Sequence, residues 1–396
     1  MRQLYLAATG QNRGKTTAAL GLLDGFVRSG LRTGFFKPVG QRTVIEDGLP
    51  ADEDAVLMKT VYGLPEAYPA MSPVHIPRGF TKSYIAGQVV EDLGARIQAA
   101  HATFWDHEML LIEGTGHAGV GAVIGLSNAV VASMLGTPAV IISEGGVGRP
   151  IDEIVLNASL FAAHGVEVAG AIVNKVDLDA QPGISKVLER GLARHGIPLL
   201  GVLPVRPLLS NPTLAMILEG VHGETIHPGP DLDRVIDGVA IGAMEAGHML
   251  ERVGPGTLVI VPGDREDVIL TLTTAHFAER LRTANAAAAA RIATIAAEAT
   301  NEGVASVAGH EGAAVGLVLT GGYRPRASVL DAIREADIFA TIVSEDTYVV
   351  ASEVHDLLVK THAADREKIE LIKALVADHL DIDRILGVAR EPAIQI

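Results

Sequence analysis

The chain has no cysteine among its 396 residues. That excludes disulfides, thiolate metal sites and a cysteine nucleophile, and it suits a reducing compartment. Aromatic residues are scarce, at 4% with a single tryptophan, while hydrophobic residues reach 48%. Ala, Val, Leu and Ile must therefore fill the interior, as they do in α/β proteins with buried parallel strands. Positive charge is the minority sign: 32 Lys and Arg stand against 47 Asp and Glu, a net charge of −15. Broad binding to nucleic acid or an anionic membrane needs clustered cations, so neither partner is expected. A local basic pocket for phosphates is still allowed. No apolar run reaches the roughly 18–20 residues of a membrane span. The N-terminus enters a strand directly, without a basic segment and an apolar signal core. A soluble cytoplasmic protein is the expectation.

The length allows two or three domains with real cores. The most informative stretch is Thr9-Gly10-Gln11-Asn12-Arg13-Gly14-Lys15-Thr16-Thr17. It follows the apolar run Leu4 to Ala8 and precedes a helical pattern from Ala18. Strand, glycine-bearing turn, Gly-Lys-Thr and helix form the layout of a phosphate-binding loop. Backbone N–H groups at the helix start, together with the helix dipole, favour an anion there. Gly10 to Thr17 are the candidate nucleotide contacts. Lys15 would reach the outer phosphates, and the Thr16 hydroxyl would hold Mg²⁺. The spacing departs at one point: Thr9 stands where Gly or Ala is usual.

Further candidates lie at expected strand ends, where open α/β sheets bind ligands. Lys37 follows the strand at Gly34 to Phe36 and could neutralise a transferring phosphoryl group. Asp54 lies in Asp52-Glu53-Asp54, ahead of an apolar helical run; it either caps that helix or holds Mg²⁺. Glu113 ends the strand Met109 to Ile112, the place of a carboxylate that holds metal-bound water. Gly114-Thr115-Gly116-His117 follow as a candidate substrate or phosphate loop, with His117 either a ligand contact or a hydrogen-bonded loop residue. After the strand Val168 to Val173 comes Asn174-Lys175-Val176-Asp177. Asn-Lys-x-Asp reads guanine in many GTPases, but strand ends also carry Asn and Asp as caps, and an Asn there could touch adenine. ATP is the expected nucleotide, with GTP the alternative.

Thr9–Thr17, Phe36-Lys37-Pro38-Val39, Asp54 and Ile112-Glu113-Gly114-Thr115-Gly116 resemble, in order and spacing, dethiobiotin synthetase. Over nearly its whole length the chain resembles dethiobiotin-synthetase-like proteins related to the N-terminal half of long phosphotransacetylases. The resemblance implies that Lys15 and Thr16 bind ATP and Mg²⁺, that Lys37 assists phosphoryl transfer to a carbamate, and that Asp54 and Glu113 are the metal-associated acids. Gly10 to Arg13 and the loop after Glu113 differ from the synthetase, so its diamine pocket is not carried over. Acetyl transfer is not expected, because the chain ends where that domain would begin.

The second half resembles the DRTGG domain, with only Asp264 and Arg265 of the five residues in its name expected to remain. Its expected strands lie at Gly256 to Val261, Gly316 to Thr320 and Ala340 to Ser344. Ile226 to Pro230 is read as a connector, Leu232 to Met249 as helix, Ala286 to Thr300 as a helix within an Ala-rich stretch, and Asp365 to Leu380 as an amphipathic helix. The expected class is α/β: a parallel-sheet P-loop NTPase domain over 1–215, a connector and helix over 216–250, and a smaller α/β DRTGG-like domain over 251–360. The Ala-rich insertion covers 284–308, and a C-terminal helix and tail cover 361–396. The expected function is a Mg²⁺-dependent ATPase or ligase-like enzyme with an unknown small-molecule acceptor or effector. The alternative is a nucleotide-dependent sensor with little turnover. A homo-oligomer is expected.

Overall fold

The computed structural model describes residues 1–300, 314–355, 357 and 359–392. It divides into two compact units, Met1–Arg206 with Lys360–Ile396, and Pro207–Val359.

The first unit is built on six parallel strands: β1 (Arg2–Ala8), β2 (Thr33–Phe36), β3 (Met109–Glu113), β4 (Ala139–Glu144), β5 (Val168–Val176) and β6 (Leu199–Pro204). Their spatial order is β6-β5-β4-β1-β3-β2. The strands are short apolar runs buried on both faces, the pattern a helix-covered parallel sheet requires. Because β1 lies between β3 and β4, the turn after β1 opens between the ends of those two neighbours. Strand order reverses there, and such a crevice is where doubly wound sheets bind ligands. Helix α1 (Lys15–Arg28) leaves that turn, and α2 (Glu53–Tyr62) follows a hairpin of Thr43–Glu46 and Leu49–Asp52. The hairpin turns at Asp47-Gly48, both at positive φ, as a two-residue turn demands. Helix α3 (Gly148–Ala163) follows β4.

The expected separate tail at 361–396 instead completes this unit. Helix Arg366–His379 packs on α1 through Ile369, Ile372, Leu375 and Val376, all buried. Gly21 permits the approach: a Cβ there would lie 2.3 Å from Val376 Cγ2. The amphipathic helix thus packs within its own chain.

The second unit is a five-stranded sheet in the order β7-β11-β10-β9-β8, made of β7 (Glu224–His227), β8 (Gly238–Ile241), β9 (Thr257–Pro262), β10 (Gly316–Thr320) and β11 (Phe339–Ile342). Only β7 runs antiparallel, against β11. One apolar cluster joins Val259, Val261, Leu317 and Leu319 to Val268, Leu272 and Ile333. A second joins Leu258, Ile260 and Val318 to Leu214, Ile217, Val350 and Val354.

Two expectations need correction, and a third is extended. Residues 216–250 are not a connector, since Leu214–Val221 is a core helix and the span also supplies β7 and β8. Leu232 to Met249 is not one helix: Gly238–Ile241 pairs with β9 and only Ala246–Leu250 is helical. There, cross-strand hydrogen bonds and β-branched Val239 and Ile241 outweigh local helix tendency. The expected helix Ala286 to Thr300 is the second half of a continuous Glu266–Thr300 helix, which contains no Gly or Pro to stop it. Residues 301–308 of the Ala-rich stretch lie outside the described residues.

Candidate functional site

The turn between β1 and α1 is fixed by two backbone choices. Gly14 sits at φ 91°, in the left-handed region that favours glycine, and Asn12 also has a positive φ of 58°. Gly14 is further constrained by Asn174, because a Cβ would lie 1.9 Å from Asn174 Nδ2. Lys15 opens α1 and is buried, and its Nζ donates to the carbonyls of Gly10 and Gly116, each at 3.4 Å. Burial, followed by the nearby Lys37 charge, pushes its pKa down to about 8. Gln11 is exposed, while Thr16 and Thr17 are half-buried on the first turn of α1.

Four elements converge beside this turn. Lys37, just past β2, places Nζ 2.6 Å from Asp54 Oδ2 at the start of α2 and 2.9 Å from Glu113 Oε1 at the end of β3. The Thr16 hydroxyl lies 3.1 Å from Asp54 Oδ1 and 3.3 Å from Glu113 Oε1. Asp52, not Asp54, caps α2, accepting from Asp54 N at 3.1 Å. That leaves the Asp54 carboxylate for the cluster. Burial is the largest influence on Lys37 and would lower its pKa; Asp54, Glu113 and Asp52 together reverse the effect and hold it well above the ordinary value. Burial also acts most strongly on Asp54, upward, but Lys37 and hydrogen bonds from its neighbours leave it below the ordinary value. Glu113 is the opposite case, since burial and then repulsion from Asp54 raise it to about 7.

Two carboxylates pressed together around one hydroxyl suit a divalent cation. Glu113 Oε2 is buried with no hydrogen-bond partner among the described residues, an acceptor that a cation or its water would satisfy. Among the described residues no group of three or more His, Asp or Glu side chains forms an all-protein cage. Mg²⁺ fits such a set, because it keeps several waters and takes one or two carboxylates beside substrate phosphates.

The loop after β3 is tied down by residues that the sequence patterns did not single out. Buried Asn128 accepts from Tyr5 OH at 2.8 Å and Thr115 N at 3.0 Å, and donates to the carbonyls of Thr115 and His117 at 2.7 and 2.6 Å. Asn157 on α3 accepts from Ala118 N at 2.8 Å. The Gly114 carbonyl faces Lys37 Nζ at 3.4 Å, so the loop touches both lysines of the site. His117 is exposed, and its Nδ1 accepts from Gly119 N at 3.2 Å. In sequence Asn128 is only the first residue of an ordinary helix, capped by Ser127, so no local signal marks it.

On the other side of the turn, Arg13 pairs with Glu144 at the end of β4, and Thr9 donates to Glu153 at 2.8 Å. Asn174 donates to the Arg13 carbonyl at 3.1 Å. Asp177 is exposed, with Oδ1 accepting from Ala180 N at 2.9 Å.

The model of the family described as "AAA domain", AAA_26, matches residues 2–213, more than half of the chain. The chain belongs to the AAA_26 family. Residues 216–357 match the DRTGG domain. The expectation that only Asp264 and Arg265 of the named residues remain is too narrow for the sequence of the matched span. Thr320-Gly321-Gly322 supply the other three, and pairing of β9 with β10 brings Thr320 beside Pro262, with Gly263 N donating to Thr320 O at 3.0 Å. The motif is split across two neighbouring strand ends.

This AAA_26 chain is 26% identical over 395 residues to a phosphate acetyltransferase of Pseudomonas putida, covering 96% of the chain and 51% of the relative. It is 25% identical to one from Nitratidesulfovibrio vulgaris, covering 96% and 50%. The chain spans about half the length of the curated relatives it matches. Among solved structures it is similar to the septum site-determining protein MinD complexed with Mg-ADP from Pyrococcus horikoshii, at 15% identity and a TM-score of 0.34, covering 52% of this chain and 83% of that one. The MinC:MinD cell division complex of Aquifex aeolicus gives 11% identity and a TM-score of 0.33, covering 53% and 84%.

Proposed function

We propose that the first unit binds a Mg²⁺–nucleoside triphosphate and transfers its γ-phosphoryl group to water or to a carboxylate-like acceptor. One observation carries the reading: Thr16, Lys37, Asp54 and Glu113 reach one point from four separate elements, beside the turn that ends in Lys15. Backbone N–H groups at the start of α1 would hold the phosphates, with Lys15 turning from the Gly10 and Gly116 carbonyls to the outer oxygens. Lys37 would neutralise charge on the transferring group, and burial makes that charge count for more than it would in water. Thr16, Asp54 and Glu113 would hold the metal, which supplies further charge neutralisation when bound. Attack by water breaks the bridging P–O bond and yields the nucleoside diphosphate and orthophosphate. Phosphate release from Mg²⁺-ATP and Mg²⁺-GTP, compared with a Lys15→Ala control and run with bicarbonate, amines and carboxylic acids, tests the proposal. Release no faster than the control under every condition would overturn it.

A second reading, a nucleotide-dependent switch, rests on the loop Gly114–His117. Its carbonyls touch both Lys15 and Lys37, so a γ-phosphate that draws those amines away would alter the loop. Nucleotide binding without turnover, accompanied by a change in amide exchange at 114–118, is the outcome that separates it from the first.

A further inference from the structure

We infer that Lys360 is a positioning residue for Asp54: through Glu53 it fixes the turn of α2 that offers Asp54 to the metal. The inference rests on the nucleotide-binding reading above. Asp52, Glu53 and Asp54 stand side by side at the start of α2. Asp52 caps the helix, and Asp54 reaches Lys37 and Thr16. Glu53, between them, donates its backbone N–H to the Arg42 carbonyl at 3.1 Å, and its carboxylate pairs with Lys360 Nζ. Lys360 is the first residue of this unit after the chain returns from the second. Stability does not account for the pair. Both side chains are partly exposed, and such pairs contribute little. The ammonium is also poorly placed for a cation, since burial and then Arg42 push its pKa down to about 8, with Lys37 adding to the repulsion. What the pair fixes is a position. Burial holds Glu113, but the Asp54 carboxylate is partly exposed and depends on the first turn of α2 for its place. An ion pair on the preceding residue stops that turn from shifting. Partners one step removed from a metal act in this way, and losing one typically weakens metal binding by about 10–100-fold.

The test uses the full chain and two measurements. In the protein without metal or nucleotide, Lys360→Ala should accelerate amide exchange at Asp54 to Met58 by about fivefold or more, and leave β1 unchanged. Calorimetric titration with ATP, with and without Mg²⁺, should show the gain in affinity due to Mg²⁺ reduced by about tenfold, while ATP alone binds within about twofold of wild type. Lys360→Arg should restore both properties, and Lys360→Met should not. Glu53→Gln removes the same pair from the other side and should reproduce both changes. The urea midpoint of each variant should stay near that of wild type, because the pair is partly exposed. An Mg²⁺ gain that is unchanged in Lys360→Ala or in Glu53→Gln would overturn the inference. So would an equal loss with and without Mg²⁺, which would make Lys360 a phosphate contact. Wild-type protein that binds no ATP, or binds it equally with and without Mg²⁺, would overturn the nucleotide-binding reading itself.

Discussion

Lys37 and Glu113 stand 2.9 Å apart at the C-terminal ends of adjacent parallel strands, the amine 5% exposed and the carboxylate 1%. Such a pair is costly to dehydrate and costlier to break, because removing one partner strands a buried charge. Asp54, the other carboxylate on Lys37, is 25% exposed, so the cluster meets solvent on its side.

Lys37→Met should therefore destabilise the protein by about 3–5 kcal/mol in urea unfolding. The deficit is expected to widen as pH rises through about 7, where wild-type Glu113 loses its proton while the unpaired carboxyl of the variant still holds one. Adding Glu113→Gln should recover part of the loss. A double variant less stable than either single one would contradict the pairing.

Gly14→Ala meets two separate obstacles, a φ of 91° and Asn174 Nδ2 at 1.9 Å from the new methyl. A cost of about 1–3 kcal/mol is expected from the backbone alone. Nucleotide affinity should fall by about tenfold or more, because the loop must shift. Combining it with Asn174→Ala relieves the clash but not the φ strain, so recovery should be partial. Full recovery would show that the backbone conformation matters little.

Asn128→Ala removes four hydrogen bonds, three of them to the backbone at Thr115 and His117. Leaving those part-buried groups unpaired should cost about 1–3 kcal/mol. Amide exchange at Thr115 to Ala118 should accelerate more than in β1. Uniform acceleration across the unit would mean that Asn128 has no particular hold on this loop.

His101 offers a pH test away from the site. It is 6% exposed, with Nε2 2.8 Å from Gln3 Oε1, and burial lowers its pKa from 6.5 to about 4. Its folded value is the lower one, so the unfolded chain binds more protons between those two pH values. The associated stability, on the order of 3 kcal/mol, is complete above the unfolded value and disappears as pH falls through about 4. The difference in unfolding free energy between wild type and His101→Gln, followed from pH 7.5 to 4.5, should carry that slope. A difference that does not vary with pH would show that His101 titrates normally.

Much of the first unit is readable from local pattern. Short apolar runs broken by Gly, Pro and acids place β1, β2, β3 and β5 to within a few residues, because a strand buried on both faces leaves little choice of residue. The same logic fails at Leu232 to Met249, where pairing with β9 decides the outcome, and at the hairpin around Asp47-Gly48, whose strands carry no long apolar run. The split of Asp264-Arg265 from Thr320-Gly321-Gly322 escapes a linear search for the same reason: hydrogen bonding between strands, not chain order, makes them neighbours.

What the residues alone determined is the kind of site: a Gly-Lys-Thr turn after a strand offers amides and an amine to an anion in any parallel sheet, and Lys37, Asp54 and Glu113 are legible as strand-end and helix-start charges. What they could not determine is which side chains serve the ligand and which serve the loop. Asn128 and Asn174 carry the same amide, and only the packing of distant helices and strands turns one toward the β3 loop and the other toward the phosphate turn. Asn174 meets the Arg13 carbonyl across 161 residues and Asn128 meets Tyr5 across 123, and those distances are closed by the fold, not by the sequence around either residue.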